Sequence, residues 1–239
     1  YWKPILNSEL KRLNHYEEKV FKTFDHCTII SEQDRNQLPF TQRNEVTIVR
    51  NGVELDDFSP SSESKSVDVL FAGNMGYPPN VEGAVFLANE VMPLVIKQIP
   101  EAKLMLAGAR PDQKVKELAG GYTEVTGWVD DMRDCYAKAK VFVAPMMIGT
   151  GLQNKLLEAM AMRIPCVTST LANNALHAKE NEEILIAETA EEYANHILEL
   201  LDNSSKSEQI ATAGHNLVTE HFSWEGTTKP LLNILAPAP

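Results

Sequence analysis

The sequence has few cysteines, no long apolar run and no excess of basic residues. Its three cysteines, Cys27, Cys135 and Cys166, form no metal-ligand spacing, and we expect reduced thiols in a cytoplasmic protein. No apolar run approaches the ~18 residues that a membrane-spanning helix needs. The 33 acidic residues exceed the 22 basic ones, and the net charge of -11 disfavours nucleic acid as a partner. We therefore expect a soluble protein in which any anion site is local.

From residue 67 onward, short runs rich in Val, Leu and Ile alternate with longer segments of helical period. This alternation indicates βαβ units, because parallel strands are joined by helical crossovers. The predicted strands are residues 67–72, 104–108, 124–127, 141–145, 166–169 and 184–187. The predicted helices are residues 80–96, 132–139, 151–162, 188–201 and 205–221, followed by a closing helix that Ser223 caps. The fold class is therefore α/β, a Rossmann-like parallel sheet with helices on both faces.

Residues 1–50 have a different pattern, with one amphipathic helix, a strand at 26–31, a short helix and a strand at 46–49. Two strands do not make an independent α/β domain. We therefore interpret this segment as a partial α/β remnant, the end of another domain. Residues 51–66 begin with an Asn-Gly turn and continue as a polar, serine-rich stretch, which is typical of a hinge or linker. Residues 67–239 form the main domain in this prediction.

A glycine-containing loop joins a buried strand to a helix within residues 141–170. Ligands of open parallel sheets bind at the carboxyl ends of strands, and glycines before a helix N-terminus suit a diphosphate. In the predicted helix 151–162, the spacing places Gly151, Asn154, Lys155 and Glu158 on one face. We interpret this face as a wall of a nucleotide cleft, with Lys155 near phosphate and Glu158 accepting from ribose hydroxyls. The spacing alone equally fits the solvated face of an ordinary amphipathic helix.

Other candidate residues favour structural roles. Asp130 and Asp131 precede a predicted helix, which indicates capping rather than a metal site. Trp128 follows Gly127, and we interpret it as a packing residue rather than a base-stacking one. No histidine has a partner at ligand or triad spacing, and no serine or cysteine nucleophile signature occurs.

Several segments resemble, in order, motifs of the retaining GT-B glycosyltransferases of the group 1 family, which includes sucrose and glycogen synthases. The segments are SEQD at 31–34, VRNGV at 49–53, LFAGNMGYPPN at 70–80, VTGWVD at 125–130, GLQNKLLEAMAM at 151–162 and FSWE at 222–225. The ordered set is specific and spans nearly the whole chain. The resemblance implies the C-terminal, donor-binding domain of a glycosyltransferase that acts with retention of configuration and without a metal. It implies transfer from a nucleoside diphosphate sugar to an acceptor sugar, lipid or glycan, in polysaccharide or glycoconjugate biosynthesis.

The resemblance also implies a set of site residues. Glu158 matches the second carboxylate of the family's E-x7-E motif, which holds the donor ribose, and we assign the catalytic roles to Glu158 and Lys155. Thr150 stands in place of the first glutamate, so the family's contact with the transferred sugar is not implied here. Members of the family bind the diphosphate with an Arg and a Lys, but the corresponding loop here contains Asn74 and lacks the expected Lys. Lys155 and Arg110 are candidates to supply positive charge in their place. The implied donor-binding residues are Gly73, Asn74, Arg110, Val129, Thr150, Gly151, Leu152, Gln153, Asn154 and Glu158.

The acceptor-binding half is expected to come from an N-terminal domain of the same enzyme outside this chain, and we expect the chain to be inactive alone. We expect a cytoplasmic location, either free or peripheral to the inner face of the membrane. Two alternatives stay open: a GT-B-like nucleotide-sugar epimerase, and a non-catalytic nucleotide-binding module.

Overall fold

The computed structural model describes residues 2–148 and 151–236. The N-terminal part contains α1 (Lys3–Thr23), β1 (Thr28–Ile29), α2 (Glu32–Gln37), a 3-10 helix (Thr41–Glu45) and β2 (Thr47–Ile48). The two strands pair in parallel and form a small sheet of their own. The apolar side chains of the first half of α1 are more than half exposed. This half of α1 therefore has little contact with the rest of the described chain, whereas Phe21 near the end of the helix stacks on Phe40, with ring centroids 4.6 Å apart.

The main body is built on a six-stranded parallel sheet. Its strands are β3 (Val67–Ala72), β4 (Leu104–Ala107), β5 (Thr123–Gly127), β6 (Ala139–Ala144), β7 (Cys166–Thr168) and β8 (Leu185–Ile186). They lie in the order β5-β4-β3-β6-β7-β8, and every neighbouring pair is parallel. The central strands β3 and β6 are almost fully buried, as expected for a sheet covered on both faces. The predicted α/β class is confirmed.

Helices connect and cover these strands. They are α3 (Pro78–Phe86), a π-helical segment (Leu87–Val91), α4 (Met92–Ile96), α5 (Gln113–Lys116), α6 (Arg133–Lys138), α7 (Asn154–Ala161), α8 (Thr170–Leu176), α9 (Ala190–Asp202), α10 (Ser204–His221), α11 (Trp224–Thr227) and α12 (Lys229–Leu235). As predicted, the Ser223 side chain caps a helix by accepting from the Gly226 N–H. Across the described residues, no helix combines the length and apolar character that a membrane crossing requires.

The order of the strands creates a crevice between β3 and β6. The chain leaves β3 through α3 toward β4, whereas it leaves β6 through α7 toward β7, in the opposite direction along the sheet. Because parallel crossovers are right-handed, these two helices lie on opposite faces. The loops after β3 and β6 therefore diverge at their carboxyl ends, and ligands of open α/β sheets bind at such a point.

The predicted helices differ from the observed ones by one to three residues at their ends, and two of these differences bear on the site or on helix continuity. The helix predicted over 151–162 begins only at Asn154, and Gly151 has a φ of +93°, which no right-handed helix allows. The prediction that Gly151 shares a helical face with Lys155 and Glu158 is therefore wrong. The helix predicted over 80–96 begins at Pro78 and is interrupted by the π-helical segment. This segment lies just before Pro93, whose ring nitrogen cannot donate a helical hydrogen bond.

The predicted hinge packs against the C-terminal helices. Val53 is buried, and its N–H donates to the Phe222 carbonyl at 2.8 Å. A Cβ atom at Gly52 would lie within 3 Å of the Trp224 backbone, so only glycine fits this approach. Phe58, further along the polar stretch, packs edge-on against Tyr136, with ring centroids 6.1 Å apart. The segment thus runs along the main domain, and the division of the chain at residues 51–66 stays a prediction.

Candidate functional site

A cavity of about 760 Å³ opens at the crevice between β3 and β6. Its walls come from the loops that follow β3, β4 and β5, from α6, and from residues 152–158 at the start of α7. Asn51 of the predicted hinge closes one side, where its amide donates to Asn154 Oδ1 at 3.1 Å. The cavity therefore lies where the fold predicts a ligand.

The floor of the cavity is made of backbone. Gly73 directly follows β3 and Gly108 directly follows β4, with φ of +152° and +142°. A Cβ atom at Gly108 would lie 1.8 Å from the Gly73 carbonyl oxygen, and one at Gly73 would lie 2.8 Å from the Asn80 amide nitrogen. Both positions therefore require glycine, which lets the two loops and the Asn80 side chain pack closely at the strand ends.

Lys155 places its ammonium group above this floor. The Lys155 Nζ lies 4.9 Å from the centre of the Phe71 ring and donates a hydrogen bond to Asn80 Oδ1. The Asn80 amide in turn donates to the Asn74 carbonyl at 2.9 Å. Burial lowers the pKa of Lys155 to about 8, although the Glu158 carboxylate opposes this shift. A partly desolvated cation with hydrogen-bond donors in a cavity is suited to an anion.

Glu158 lines the same cavity from the second turn of α7. The Tyr136 hydroxyl donates to Glu158 Oε2 at 2.7 Å. Burial raises the pKa of the Glu158 carboxyl, while the Tyr136 hydrogen bond and the Lys155 charge act in the opposite direction. Tyr136 itself is fully buried, and burial together with the Glu158 charge raises the pKa of its hydroxyl. Tyr136 therefore fixes the direction of the Glu158 carboxylate.

The structure corrects the interpretation of Trp128, which directly follows β5. We predicted a packing residue, but the side chain is 76% exposed and lines the cavity. Its indole N–H donates to Asp130 Oδ1 at 3.1 Å. Both Asp130 and Asp131 were predicted to cap α6, but only the Asp131 carboxylate accepts from its first turn, from the Arg133 N–H at 2.9 Å, whereas Asp130 accepts from Trp128. Local sequence did not reveal this exposure, because strand-end tryptophans occur in both environments.

Most of the predicted site residues meet in this cavity. Those that line it are Gly73, Asn74, Arg110, Val129, Leu152, Gln153, Asn154, Lys155 and Glu158. Gly151 instead lies beside α2, where a Cβ atom would be 3.2 Å from Asp34 Oδ2. Thr150 lies outside the described residues. The roles assigned to these residues stay predictions.

Three residues of the cavity, Tyr136, Asn80 and Tyr77, were not among the predicted site residues. Asn80 and Tyr77 belong to the YPPN segment that carried part of the resemblance, so their position after β3 was a usable signal. Tyr136 had no such signal, since it reads as an ordinary apolar position of α6. No group of three His, Cys, Asp or Glu side chains that could hold a metal ion occurs among the described residues.

The chain matches known proteins over most of its length. The model of the family described as Glycosyl transferases group 1 matches residues 66–203. An uncharacterized 44.6 kDa protein in the cps region of Klebsiella pneumoniae is 25% identical, covering 93% of this chain. A phosphatidyl-myo-inositol mannosyltransferase of Mycobacterium leprae is 25% identical, covering 78% of this chain. The chain spans 62% of the first relative's length and 52% of the second's.

The fold is shared with solved structures. The structure of Anabaena Alr3699/HepE in complex with UDP-glucose has a TM-score of 0.74 at 12% identity, covering 91% of this chain and 65% of that one. Similarity at 12% identity shows a common fold only, so the function has to be inferred from the residues of the site. The family match covers more than half of the chain, in the part that forms the sheet and the cavity. The chain therefore belongs to the glycosyl transferases group 1 family.

Proposed function

We propose that this chain is the donor-binding part of a glycosyltransferase that moves a sugar from a nucleoside diphosphate sugar to an acceptor, with retention of configuration. One observation carries the proposal. The Lys155 ammonium lies in a cavity at the crevice between β3 and β6, directly above the glycine floor. A cation in that position suits the diphosphate of a sugar nucleotide.

Lys155 and the start of α7 bind the diphosphate in this proposal. The ammonium has three donors, of which one is directed to Asn80 Oδ1 and one more weakly to Met146 Sδ at 3.7 Å. The first N–H groups of a helix have no intrahelical partner, and α7 directs its first turn at the cavity. When the bond to the sugar breaks, negative charge grows on the departing diphosphate. Preorganised donors stabilise that charge more than the ground state, which lowers the barrier. We propose that this set of donors works without a metal.

Glu158 binds the ribose in this proposal. Tyr136 occupies one lone pair of Glu158 Oε2. A carboxylate has about four acceptor positions, so Glu158 still has acceptors to offer to vicinal hydroxyl groups in the cavity. Although burial raises the pKa of this carboxyl, the Tyr136 donor and the Lys155 charge favour its ionised, accepting form.

The names of the relatives support the substrate class. One is named a phosphatidyl-myo-inositol mannosyltransferase, one is from a cps region, and a structural neighbour was solved with UDP-glucose. We propose an acceptor sugar, lipid or glycan in polysaccharide or glycoconjugate biosynthesis, bound by an N-terminal domain of the same enzyme. We place the enzyme in the cytoplasm, and at the inner face of the membrane when the acceptor is a lipid.

A thermal-shift screen with UDP, GDP, ADP and their sugars tests the proposal. A ligand at 100 times its dissociation constant adds about 2.7 kcal/mol to the free energy of unfolding. We expect at least one nucleotide to stabilise the wild type and to lose this effect in Lys155→Met. Lys116→Met, which changes an exposed lysine of α5 outside the cavity, is the matched control. Stabilisation by no nucleotide would refute the proposal, and turnover of a nucleotide sugar without an acceptor would favour an epimerase.

A further inference from the structure

Asn80 is a buried polar residue at the start of α3. Its side chain lines the cavity, although only 5% of the residue is exposed. The two residues before it in the helix, Pro78 and Pro79, have no N–H group to offer to a ligand. Asn80 is therefore the α3 residue that brings hydrogen-bonding atoms to the cavity, and a polar side chain as buried as this one needs partners for them.

Both ends of the Asn80 amide have a partner. Its Nδ2 donates to the Asn74 carbonyl at 2.9 Å, and its Oδ1 accepts from Lys155 Nζ. Only this orientation of the amide satisfies both partners, because a carbonyl oxygen can only accept and an ammonium group can only donate. A Cβ atom at Gly73 would lie 2.8 Å from Asn80 Nδ2 and 3.3 Å from Lys155 Nζ, so the backbone packs closely against this contact. The amide thus ties the Lys155 ammonium to the loop that follows β3.

The Asn80 amide holds Lys155 without adding charge. Among the residues that the structure describes, no carboxylate forms an ion pair with the Lys155 ammonium. The other charged or titratable side chains that line the cavity are Glu158, Tyr136, Tyr77, Arg110 and Asp130. Of these, Glu158 raises the pKa of Lys155, against the larger effect of burial, which lowers it to about 8. Because an amide is neutral, the positive charge of Lys155 remains available to a bound anion.

We propose that Asn80 is a positioning residue that holds the Lys155 ammonium in place for the diphosphate without neutralising it, an inference that rests on the proposed function. A carboxylate in the same place would pair with the ammonium and repel the diphosphate. An apolar side chain would leave a buried ammonium without its acceptor, which favours the uncharged amine. Position 80 therefore needs an acceptor that is neutral, and the asparagine amide supplies one.

An NMR titration of the lysine side chains in the nucleotide-free chain tests how Asn80 acts on Lys155, with Lys155→Met to assign the signal. We expect Asn80→Asp to raise the pKa of Lys155 above its wild-type value of about 8, because a carboxylate stabilises the ammonium. Asn80→Ala should lower this pKa, because the ammonium loses an acceptor. The matched control is Asn195→Asp, which adds the same charge at an exposed position of α9 outside the cavity and should leave this pKa unchanged. An equal pKa of Lys155 in the wild type and both Asn80 variants would overturn the inference.

Calorimetry at pH 7 with inorganic pyrophosphate and with the best nucleoside diphosphate gives a second readout. Asn80→Asp should weaken binding of both ligands about tenfold or more, although Lys155 is then more fully charged. A loss of packing alone would weaken binding without raising the pKa of Lys155. In the Lys155→Met background, Asn80→Ala should cause no further loss of affinity, since Asn80 acts through Lys155. Unchanged affinity in Asn80→Asp, or an independent loss for Asn80→Ala in that background, would overturn the inference.

The two experiments separate the inference from the proposed function. A wild type that binds neither a nucleotide nor pyrophosphate would refute the proposed function. The NMR titration needs no ligand, so an unchanged pKa of Lys155 in the Asn80 variants would overturn the inference whatever the calorimetric result. If Asn80→Asp does not fold, the titration of Asn80→Ala decides alone.

Discussion

The protonation state of Lys155 should control nucleotide affinity between pH 7 and pH 9. Burial lowers the pKa of this ammonium to about 8, more than two units below its usual 10.5. Only the charged form neutralises a diphosphate. If binding requires the charged form, the binding-competent fraction falls from about 90% at pH 7 to about 10% at pH 9, and apparent affinity falls about tenfold. A lysine with the ordinary pKa would lose only about 3% over the same range.

Isothermal titration calorimetry with the best nucleoside diphosphate at pH 7, 8 and 9 measures this effect. The last phosphate ionisation has a pKa of about 6, so the charge of the ligand is constant in this window. Above pH 8, binding should also take up close to one proton, which appears as a dependence of the observed enthalpy on the buffer. Lys155→Met should bind weakly at every pH and show no proton uptake. Equal affinities at pH 7 and pH 9 in the wild type, or the same pH dependence in Lys155→Met, would refute the reasoning.

Three further predictions test other parts of the account. Calorimetry should show that Glu158→Gln weakens nucleotide binding about tenfold to hundredfold with an unchanged melting temperature. Tyr136→Phe should cause a smaller loss of affinity. Equal affinities of Glu158→Gln and the wild type would show that Glu158 does not bind the nucleotide. Gly108→Ala should lower the free energy of unfolding by about 3 kcal/mol or more, since its Cβ would lie 1.8 Å from the Gly73 carbonyl oxygen. Gly120→Ala, at a similar positive φ with open space, controls for backbone strain in urea unfolding. The 239-residue chain should bind nucleotide yet transfer no sugar in a radiolabel assay, because the proposed acceptor-binding domain is not part of it, and measurable transfer would contradict this.

The sheet could be predicted because its strands are buried on both faces. Residues 67–72 were predicted with the observed bounds, since a run such as VDVLFA is almost wholly buried and its ends coincide with a change to polar residues. The ends of the other predicted strands either coincide with the observed ends or differ from them by one or two residues. Burial thus fixes the existence of a strand more firmly than its limits.

The site could be predicted only in part, because its contacts join distant residues. Lys155 was identified from local spacing, yet its partner Asn80 is 75 positions away in the sequence, and the two meet because α3 and α7 follow the neighbouring strands β3 and β6. Tyr136 was missed for the same reason, since its contact with Glu158 joins two helices. The start of α7 was placed too early because residues 151–153 continue the helical pattern of apolar positions although the backbone there is not helical.

A crystal structure of the chain with the most stabilising nucleoside diphosphate tests the central claim most directly. The account predicts electron density for the ligand in the cavity between β3 and β6. The diphosphate should lie within hydrogen-bond distance of Lys155 Nζ, with a ribose hydroxyl on Glu158. A nucleotide bound elsewhere, or a diphosphate in the cavity without contact to Lys155, would contradict it.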